Sequence, residues 1–240
     1  TFGDGFTKYF KILYYFLVLN FFNLRIVCSS VFSKKKLLSK IFLFNKKNII
    51  IIPFGVIDKK LNVISNTSRK IKIGYAGRLV EQKRIHRIFN ALQKISLTSN
   101  IEINIAGEGP LQNSLEDLSN RLNNKSIKIN FLGYLDNLDK FYNNLDLFIL
   151  PSKNESYGLV VLEALLHNIP VILFNDSGAC TEFIKHQKNG YIINNEDELG
   201  ELISSLDSIN IRNKLKNNIR IMDLSIYNIR NTKLKIDEFI

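Results

Sequence analysis

The stretch LDLFILPSKNESYGLVVLEALLHNIPVILF, residues 145 to 174, has the pattern of a strand, a loop, a helix and a second strand. The apolar runs at 145 to 151 and 169 to 174 have the length of buried strands. Between them, Val161, Leu162 and Leu165 recur at helical spacing. Because such units cross over in the right-handed sense, the stretch predicts two parallel strands of one sheet with a helix packed against them.

The same alternation extends towards the N-terminus. Three more strand patterns, at 71 to 77, 101 to 107 and 127 to 133, each end in glycine. Helical periodicity returns between them, for example in KRIHRIFNALQKI. The chain from residue 71 is therefore predicted to be an α/β fold, with a Rossmann-like parallel sheet and helices on both faces. Ligands are expected at the carboxyl ends of its strands.

A different piece lies before residue 71. LRIVCSS, KKKLLSKIFLF and IIIIPFGV predict a strand, a helix and a strand, the last ending near Pro53 and Gly55. Residues 1 to 60 hold only one or two such units, too few for a domain of their own. The polar stretch DKKLNVISNTSRK, residues 58 to 70, is typical of a linker.

Charge and composition narrow the class of protein. The 240 residues carry a formal net charge of +11, which favours an anionic partner: nucleic acid, a phosphorylated small molecule or an acidic membrane surface. A nucleic-acid-binding module is disfavoured, because the sequence has no reading motif and no basic residues interleaved with aromatic ones. Cys28 and Cys180 match neither a CxxC nor a zinc spacing, so we expect buried or half-buried thiols. The three histidines also lack ligand spacing, so no metal site is predicted.

The most apolar run, YFKILYYFLVLNFFNL at residues 9 to 24, bears on membrane contact. It carries Lys11 and Asn20 and is shorter than the roughly 20 apolar residues of a spanning helix. We expect it to pack on protein or to lie at a membrane surface. A basic cluster follows, for which a solvated face is the ordinary interpretation and contact with anionic lipid the alternative. The cluster comprises Lys34, Lys35, Lys36, Lys40, Lys46 and Lys47.

Two cations follow the strand pattern that ends at Gly77. In YAGRLVEQKRI, residues 75 to 85, the missing side chain of Gly77 lets a ligand approach the backbone, and Arg78 and Lys83 come next. At the edge of a parallel sheet this pair suits a diphosphate, since Arg binds two oxygens at once and Lys supplies a mobile point charge. The alternative is a solvated basic helix face. The next glycine turn, AGEGPLQNSL, lacks GxGxxG and does not support NAD binding.

Two glutamates stand in the stretch quoted first, Glu155 in the loop and Glu163 inside the helix, which is predicted to begin near Gly158. The free N–H groups of Gly158 and Leu159 would form an anion site. Glu163 would lie about 7.5 Å further along the helix axis. This offset resembles the distance from the phosphates of a nucleotide to its ribose hydroxyls, and a carboxylate accepts two hydrogen bonds from such a diol. Glu155 would lie near whatever the phosphates carry. The alternatives are a helix-dipole role for Glu155 and a surface ion pair for Glu163.

These motifs, in this order, resemble a known family. GRLVEQK at 77 to 83, PSKNESYGLVVLEALLHNIPVI at 151 to 172 and SGACTEFIKHQKNGYII at 177 to 193 look like the C-terminal half of a GT-B glycosyltransferase of family 4, with its E-x7-E pattern. The resemblance spans about residues 26 to 240. Several ordered motifs at matching spacing make it specific.

The resemblance implies transfer of a sugar from a nucleotide diphosphate sugar to an acceptor hydroxyl, with retention of anomeric configuration and with neither metal nor other cofactor. Arg78 and Lys83 would neutralise the diphosphate, where preorganised charge is the expected main source of rate. Glu155 would orient the donor sugar as the third catalytic residue, and Glu163 would hold the ribose. The implied donor site comprises Gly77, Arg78, Lys83, Glu155, Tyr157, Gly158, Leu159 and Glu163.

The chain departs from the family pattern at two turns. Arg84 follows Lys83 where the family commonly has glycine, and Asn168 occupies another usual glycine position. Asn tolerates the left-handed conformation of a helix end. Neither change removes an implied contact.

The resemblance also implies a division of the chain. Residues 1 to 60 would be a remnant of the acceptor-side N-terminal domain, 61 to 70 a linker and 71 to 240 the nucleotide-sugar-binding domain, with 227 to 240 a cross-over helix. Since the family places a glycine-rich loop and acceptor residues in the N-terminal domain, we expect an N-terminally truncated chain that binds donor and transfers sugar weakly or not at all. A non-catalytic nucleotide-sugar-binding or scaffold protein is the alternative.

The expected partners follow from the same family. They are a nucleotide-sugar donor and a carbohydrate or lipid-linked acceptor, as in the synthesis of a polysaccharide, lipopolysaccharide or glycoconjugate, with no nucleic acid. The expected location is cytoplasmic, extended to the inner face of the membrane if the basic cluster contacts anionic lipid.

Overall fold

The computed structural model describes residues 25–40, 48–56, 70–94, 100–122, 126–206 and 208–239. The apolar run at 9 to 24, Lys46, Lys47 and residues 61 to 69 of the predicted linker lie outside the described residues. The chain divides into two compact units, residues 1–55 with 225–240, and residues 56–224. The domain boundaries predicted from the sequence stay predictions.

The described residues form eight strands and eight α-helices. The strands are β1 (Ile26–Cys28), β2 (Ile49–Ile51), β3 (Ile71–Ala76), β4 (Ile101–Ala106), β5 (Ile127–Phe131), β6 (Leu147–Leu150), β7 (Val171–Phe174) and β8 (Gly190–Ile193). The helices are α1 (Val31–Leu38), α2 (His86–Gln93), α3 (Gln112–Leu122), α4 (Asp139–Asn143), α5 (Leu159–Leu166), α6 (Glu196–Ser205), α7 (Ile209–Arg220) and α8 (Ile229–Asp237). Short 3-10 helices span Glu81–Lys83, Ala179–Phe183 and Ser225–Tyr227. In this part of the chain no helix is long and apolar enough to cross a membrane.

The smaller unit contains the strand, helix and strand that the sequence predicts before residue 71. β1 and β2 pair in parallel, and the side chain of Ser30 caps α1 by accepting a hydrogen bond from the amide of Ser33. The C-terminal helix α8 packs against the end of this piece, because Thr232 Oγ1 donates to the carbonyl of Pro53 at 2.9 Å. A Cβ on Gly55 would lie 2.3 Å from Ile229 Cα, so only glycine allows this close approach.

The larger unit is built on one six-stranded sheet in the order β5-β4-β3-β6-β7-β8, and every neighbouring pair is parallel. All residues of β6 and β7 are buried, as expected for strands covered by helices on both faces. The predicted α/β fold with a Rossmann-like parallel sheet is therefore confirmed. β8 extends the sheet beyond the five strands that the sequence predicts. Cys28 and Cys180 are buried free thiols, as predicted.

A buried ion pair lies where the chain enters β6. Asp146 is 3% exposed, and its Oδ2 accepts a hydrogen bond from the backbone amide of Lys72 at 3.0 Å. Its Oδ1 lies 3.5 Å from Nζ of Lys216 on α7. Burial lowers the pKa of Lys216, and the charge of Asp146 opposes that shift. One carboxylate thus joins β3, β6 and α7.

We expect Asp146→Ala to lower the free energy of unfolding by about 3 kcal/mol, because it leaves both the Lys216 charge and the Lys72 amide without their acceptor. Asp146→Asn keeps an acceptor oxygen for the amide and should cost clearly less. Urea unfolding followed by far-UV circular dichroism measures both. An alanine variant as stable as the parent would mean that the pair does not hold these elements together.

Candidate functional site

The strand order creates a crevice at the middle of the sheet. β3 and β6 are neighbours, and the strands that follow β3 lie on one side while those that follow β6 lie on the other. In open α/β sheets, ligands bind outside the carboxyl ends of the strands where the order reverses in this way. The loop after β3 carries Gly77, Arg78 and Lys83, and the loop after β6 carries Glu155. The tertiary structure therefore brings together the two motifs that the sequence analysis singles out separately.

An ion pair joins the two loops directly. Lys83 Nζ lies 2.5 Å from Glu155 Oε1, and the two side chains are only 18% and 11% exposed. A backbone hydrogen bond supports this contact, because the amide of Lys153 donates to the carbonyl of Gln82 at 2.9 Å. Since each charge compensates the other, the site can bury both of them without a ligand.

The loop after β7 holds the backbone of Glu155 in place. The amide of Glu155 donates to Ser177 O at 2.8 Å, and the carbonyl of Glu155 accepts from the amide of Ala179 at 2.9 Å. Gly178 lies between these contacts at φ 84°, where an added Cβ would come within 2.6 Å of Glu155 O. Burial raises the pKa of the nearby Cys180 thiol to about 12, and the charge of Glu155 adds to that shift. The carboxylate of Glu155 thus lies in a tightly packed environment.

Three glycines form the rim at the ends of β3, β4 and β5. The amide of Gly77 donates to Ala106 O at 2.9 Å, and the amide of Gly107 donates to Gly133 O at 2.7 Å. A Cβ on Gly107 would lie 2.0 Å from Gly77 O. The buried hydroxyl of Tyr75 donates to the carbonyl of Arg78 at 3.0 Å, which holds the first loop. The rim therefore presents backbone to a ligand, with the exposed side chain of Arg78 beside it.

Helix α5 begins at Leu159, with Gly158 as its N-cap at φ 86° and ψ 56°, which agrees with the predicted start. A Cβ on Gly158 would lie 2.6 Å from Cys180 Cβ, so glycine is required by both conformation and space. Leu159, the first helical residue, is 42% exposed. Amides of a first helical turn lack intrahelical partners and attract anions.

Two predicted donor-site residues have protein partners of their own. The hydroxyl of Tyr142 donates to Glu163 Oε2 at 3.0 Å, and in the described part of the chain Glu163 has no Lys or Arg partner. The surface ion pair considered as an alternative for Glu163 is therefore not among the contacts of the described residues. The ring of Tyr157 is 5% exposed and packs edge-on against Phe183, with centroids 5.1 Å apart. Tyr157 forms part of the wall, and its contact with substrate stays a prediction.

A second ionic contact, which the sequence analysis missed, ties the chain segment after β3 to the loop after β7. Arg84 Nη1 lies 3.1 Å from Asp176 Oδ2, and Arg87 Nη1 lies 2.9 Å from Asp176 Oδ1. Arg84 adopts a left-handed conformation, with φ 48° and ψ 40°, at the position where the family commonly has glycine. The only sequence signal for this contact is Asp176, an acidic residue two positions after the apolar strand pattern that ends at residue 174. That signal does not indicate which cation pairs with it. Asn168 is also left-handed, at φ 61°, as predicted.

An open cleft of about 370 Å³ adjoins the Lys83–Glu155 pair and is lined by Glu81, Gln82, Arg84, Lys153 and Asn154. Its side chains carry both signs of charge. Among the described residues, no group of three or more His, Cys, Asp or Glu side chains is placed to hold a metal ion.

A parallel sheet of this order, with paired charges at its switch point, defines a Rossmann-like α/β protein. In this class, ligands bind outside the carboxyl ends of the strands. Residues 56–222 match the family described as "Glycosyl transferases group 1". The chain belongs to this family of glycosyltransferases, as the sequence motifs predict.

Relatives and solved structures agree with this assignment. An uncharacterized glycosyltransferase of Methanocaldococcus jannaschii is 38% identical over 118 residues, which are 48% of this chain and 30% of that protein. The capsular polysaccharide biosynthesis glycosyltransferase CapM of Staphylococcus aureus is 28% identical over 126 residues, which are 52% of this chain and 33% of CapM. The matched regions thus span about a third of these relatives.

The fold is shared with solved glycosyltransferases. One from Rickettsia africae superposes with a TM-score of 0.79 at 19% identity, covering 95% of this chain and 65% of that one. Anabaena HepE, in complex with UDP and glucose, superposes with a TM-score of 0.77 at 19% identity, with the same coverage of 95% and 65%. These likenesses confirm the GT-B type of fold.

We expect Gly107→Ala to destabilise the protein by about 3 kcal/mol, because its Cβ would collide with the backbone of Gly77 and its positive φ disfavours alanine. Gly133→Ala is the matched control: it shares the positive φ, but its Cβ would meet only Glu108 Oε1, at 3.3 Å. The control should cost about 1 kcal/mol. Guanidinium unfolding measures both variants, and equal losses would show that the contact between the strand ends is loose.

Proposed function

We propose that this chain binds a nucleotide diphosphate sugar at the switch-point crevice and transfers the sugar to an acceptor hydroxyl, with retention and without a metal. The observation that carries this proposal is the Lys83–Glu155 ion pair, with a 2.5 Å contact between the ends of β3 and β6. It puts a cation suited to phosphate and a carboxylate suited to sugar hydroxyls at the edge where this fold class binds its ligands.

The diphosphate would occupy the positive part of the site. Arg78 is exposed and can bind two phosphate oxygens at once. Lys83 and the first amides of α5, at Gly158 and Leu159, complete the set of donors. As the glycosidic bond breaks, negative charge grows on the departing diphosphate, and fixed positive groups stabilise it. These groups would supply the charge stabilisation that a metal ion gives in other enzymes.

Glu155 would orient the donor sugar. One of its oxygens pairs with Lys83. A diphosphate competes for the same lysine, so binding of the donor weakens this pair and frees a carboxylate oxygen for a sugar hydroxyl. Binding of the diphosphate to Lys83 would thereby be coupled to binding of the sugar by Glu155. Glu163 lies about one helical turn after Leu159 on α5. It would accept hydrogen bonds from the ribose.

The acceptor would be a carbohydrate or a lipid-linked saccharide. A relative named for capsular polysaccharide biosynthesis, CapM, supports this class. If the acceptor is lipid-linked, the exposed lysines Lys35, Lys36 and Lys40 of the smaller unit would contact anionic lipid, with about 1 kcal/mol for each charge near the surface.

Titration calorimetry with UDP, GDP and ADP tests the donor site. We expect saturable binding of one of them, weakened about tenfold by Arg78→Ala, since a charge-assisted pair of hydrogen bonds is lost. Lys128→Ala removes an exposed charge near the amino end of β5 and should change nothing. If no nucleoside diphosphate binds the folded chain, or if both variants act alike, the donor site is refuted.

The two glutamates should respond in opposite directions. Glu155→Gln removes the charge that holds Lys83, so the nucleoside diphosphate should bind about threefold tighter while its sugar conjugate gains little. Glu163→Gln weakens acceptance of the ribose hydroxyls and should lower affinity for both ligands. The ratio of the two dissociation constants, measured for each variant, checks the assignment. Loss of nucleotide affinity in the Glu155 variant would contradict it.

A further inference from the structure

A buried tyrosine lies directly behind the carboxylate assigned to ribose. Tyr142 belongs to α4 and is 1% exposed. Its hydroxyl donates to Glu163 Oε2 at 3.0 Å, and the carbonyl of Val160 lies at 3.3 Å as a second, longer acceptor. Sequence spacing does not reveal this contact, because Tyr142 precedes Glu163 by more than a whole strand and loop.

The ring of Tyr142 is held from several sides. It stacks on His167, with centroids 5.0 Å apart, and it contacts Phe148 of β6 at 5.7 Å. His167 ends α5, where its Nδ1 lies 2.7 Å from Glu163 O and its Nε2 lies 3.2 Å from Asp139 Oδ1. Two side chains of α4 therefore bind the end of α5, and the hydroxyl has a fixed position relative to the carboxylate.

The Tyr142 hydroxyl can act only as a donor towards Glu163. Burial, together with the charge of Glu163, raises the pKa of Tyr142 far above the physiological range, so the proton stays on the phenol. The hydrogen bond occupies Oε2 of a half-buried side chain. Among the described residues no side chain is bonded to Oε1, so this oxygen is left for a ligand.

On the basis of the proposed donor site, we propose that Tyr142 is a positioning residue for ribose recognition: its hydroxyl fixes Glu163 so that Oε1 meets a ribose hydroxyl. A carboxylate that is already oriented loses less freedom when the diol binds. An oriented carboxylate also weakens binding of a ligand that lacks the ribose hydroxyl, because the polar group placed for that contact then remains unpaired. Tyr142 would therefore contribute to selection of ribonucleotides over deoxyribonucleotides without touching either.

The test compares Tyr142→Phe with the parent chain, using the tightest binder among UDP, GDP and ADP and its 2′,3′-dideoxy counterpart. We expect the variant to bind the ribonucleotide about tenfold more weakly, as for loss of a hydrogen bond to a charged group. Affinity for the dideoxy ligand should stay within about twofold. Tyr191→Phe, on the edge strand β8, is the control and should change neither value. Thermal unfolding midpoints establish that each variant is folded.

Any other result for the Tyr142→Phe variant overturns the inference. An equal loss for both ligands would assign Tyr142 a packing role, and no loss would mean that Glu163 needs no help. The double variant Tyr142→Phe with Glu163→Gln should bind the ribonucleotide as Glu163→Gln alone does, since the tyrosine acts through that carboxylate. If the parent chain binds the ribonucleotide and its dideoxy form equally, the donor site stands and the ribose assignment fails. If it binds neither, the proposed function fails first.

Discussion

The pairing of β3 with β6 is the constraint on which the rest of the larger unit depends. Ile73 lies opposite Leu147 and Gly74 opposite Phe148, although the paired segments are far apart in the chain. The fit is close, because a Cβ on Gly74 would lie 2.1 Å from Leu145 Cδ1. Glycine inside a strand often marks such a close approach. Burial of β6 and β7 by helices on both faces stabilises the arrangement. The contact between Lys83 and Glu155 follows from this adjacency.

The site formed there is compact because three loops support one another. The loop after β7 holds the backbone of Glu155, and the turn after β3 supplies its charged partner. Asp176 fastens the same two loops through Arg84 and Arg87. Buried charges persist only when they are paired and hydrogen-bonded. The arrangement therefore fixes the relative positions of the loops after β3, β6 and β7.

The two glutamates of the E-x7-E pattern have different environments, and these favour different tasks. Glu155 is paired with a cation, so its availability depends on what else binds that cation. Glu163 accepts a hydrogen bond from a neutral hydroxyl through Oε2, and no cation of the described residues competes for this carboxylate. A carboxylate held by a neutral donor suits steady recognition of a diol, whereas one held by a lysine suits a contact that forms only when the donor arrives.

The sequence by itself determined the features that rest on local rules. Alternation of apolar runs with helical periodicity predicted the parallel α/β sheet, and Gly158 marked the start of α5, because short-range patterns decide both. Ordered motifs identified the family. Only the tertiary structure decided which charges meet. The partners of Glu155, Glu163 and Arg84 lie 72, 21 and 92 positions away. Local propensity favours glycine at the left-handed position of Arg84, and no pattern near that residue reveals Asp176, the contact that offsets the conformational cost. Strand order brings such groups together, and strand order is a property of the whole packed sheet.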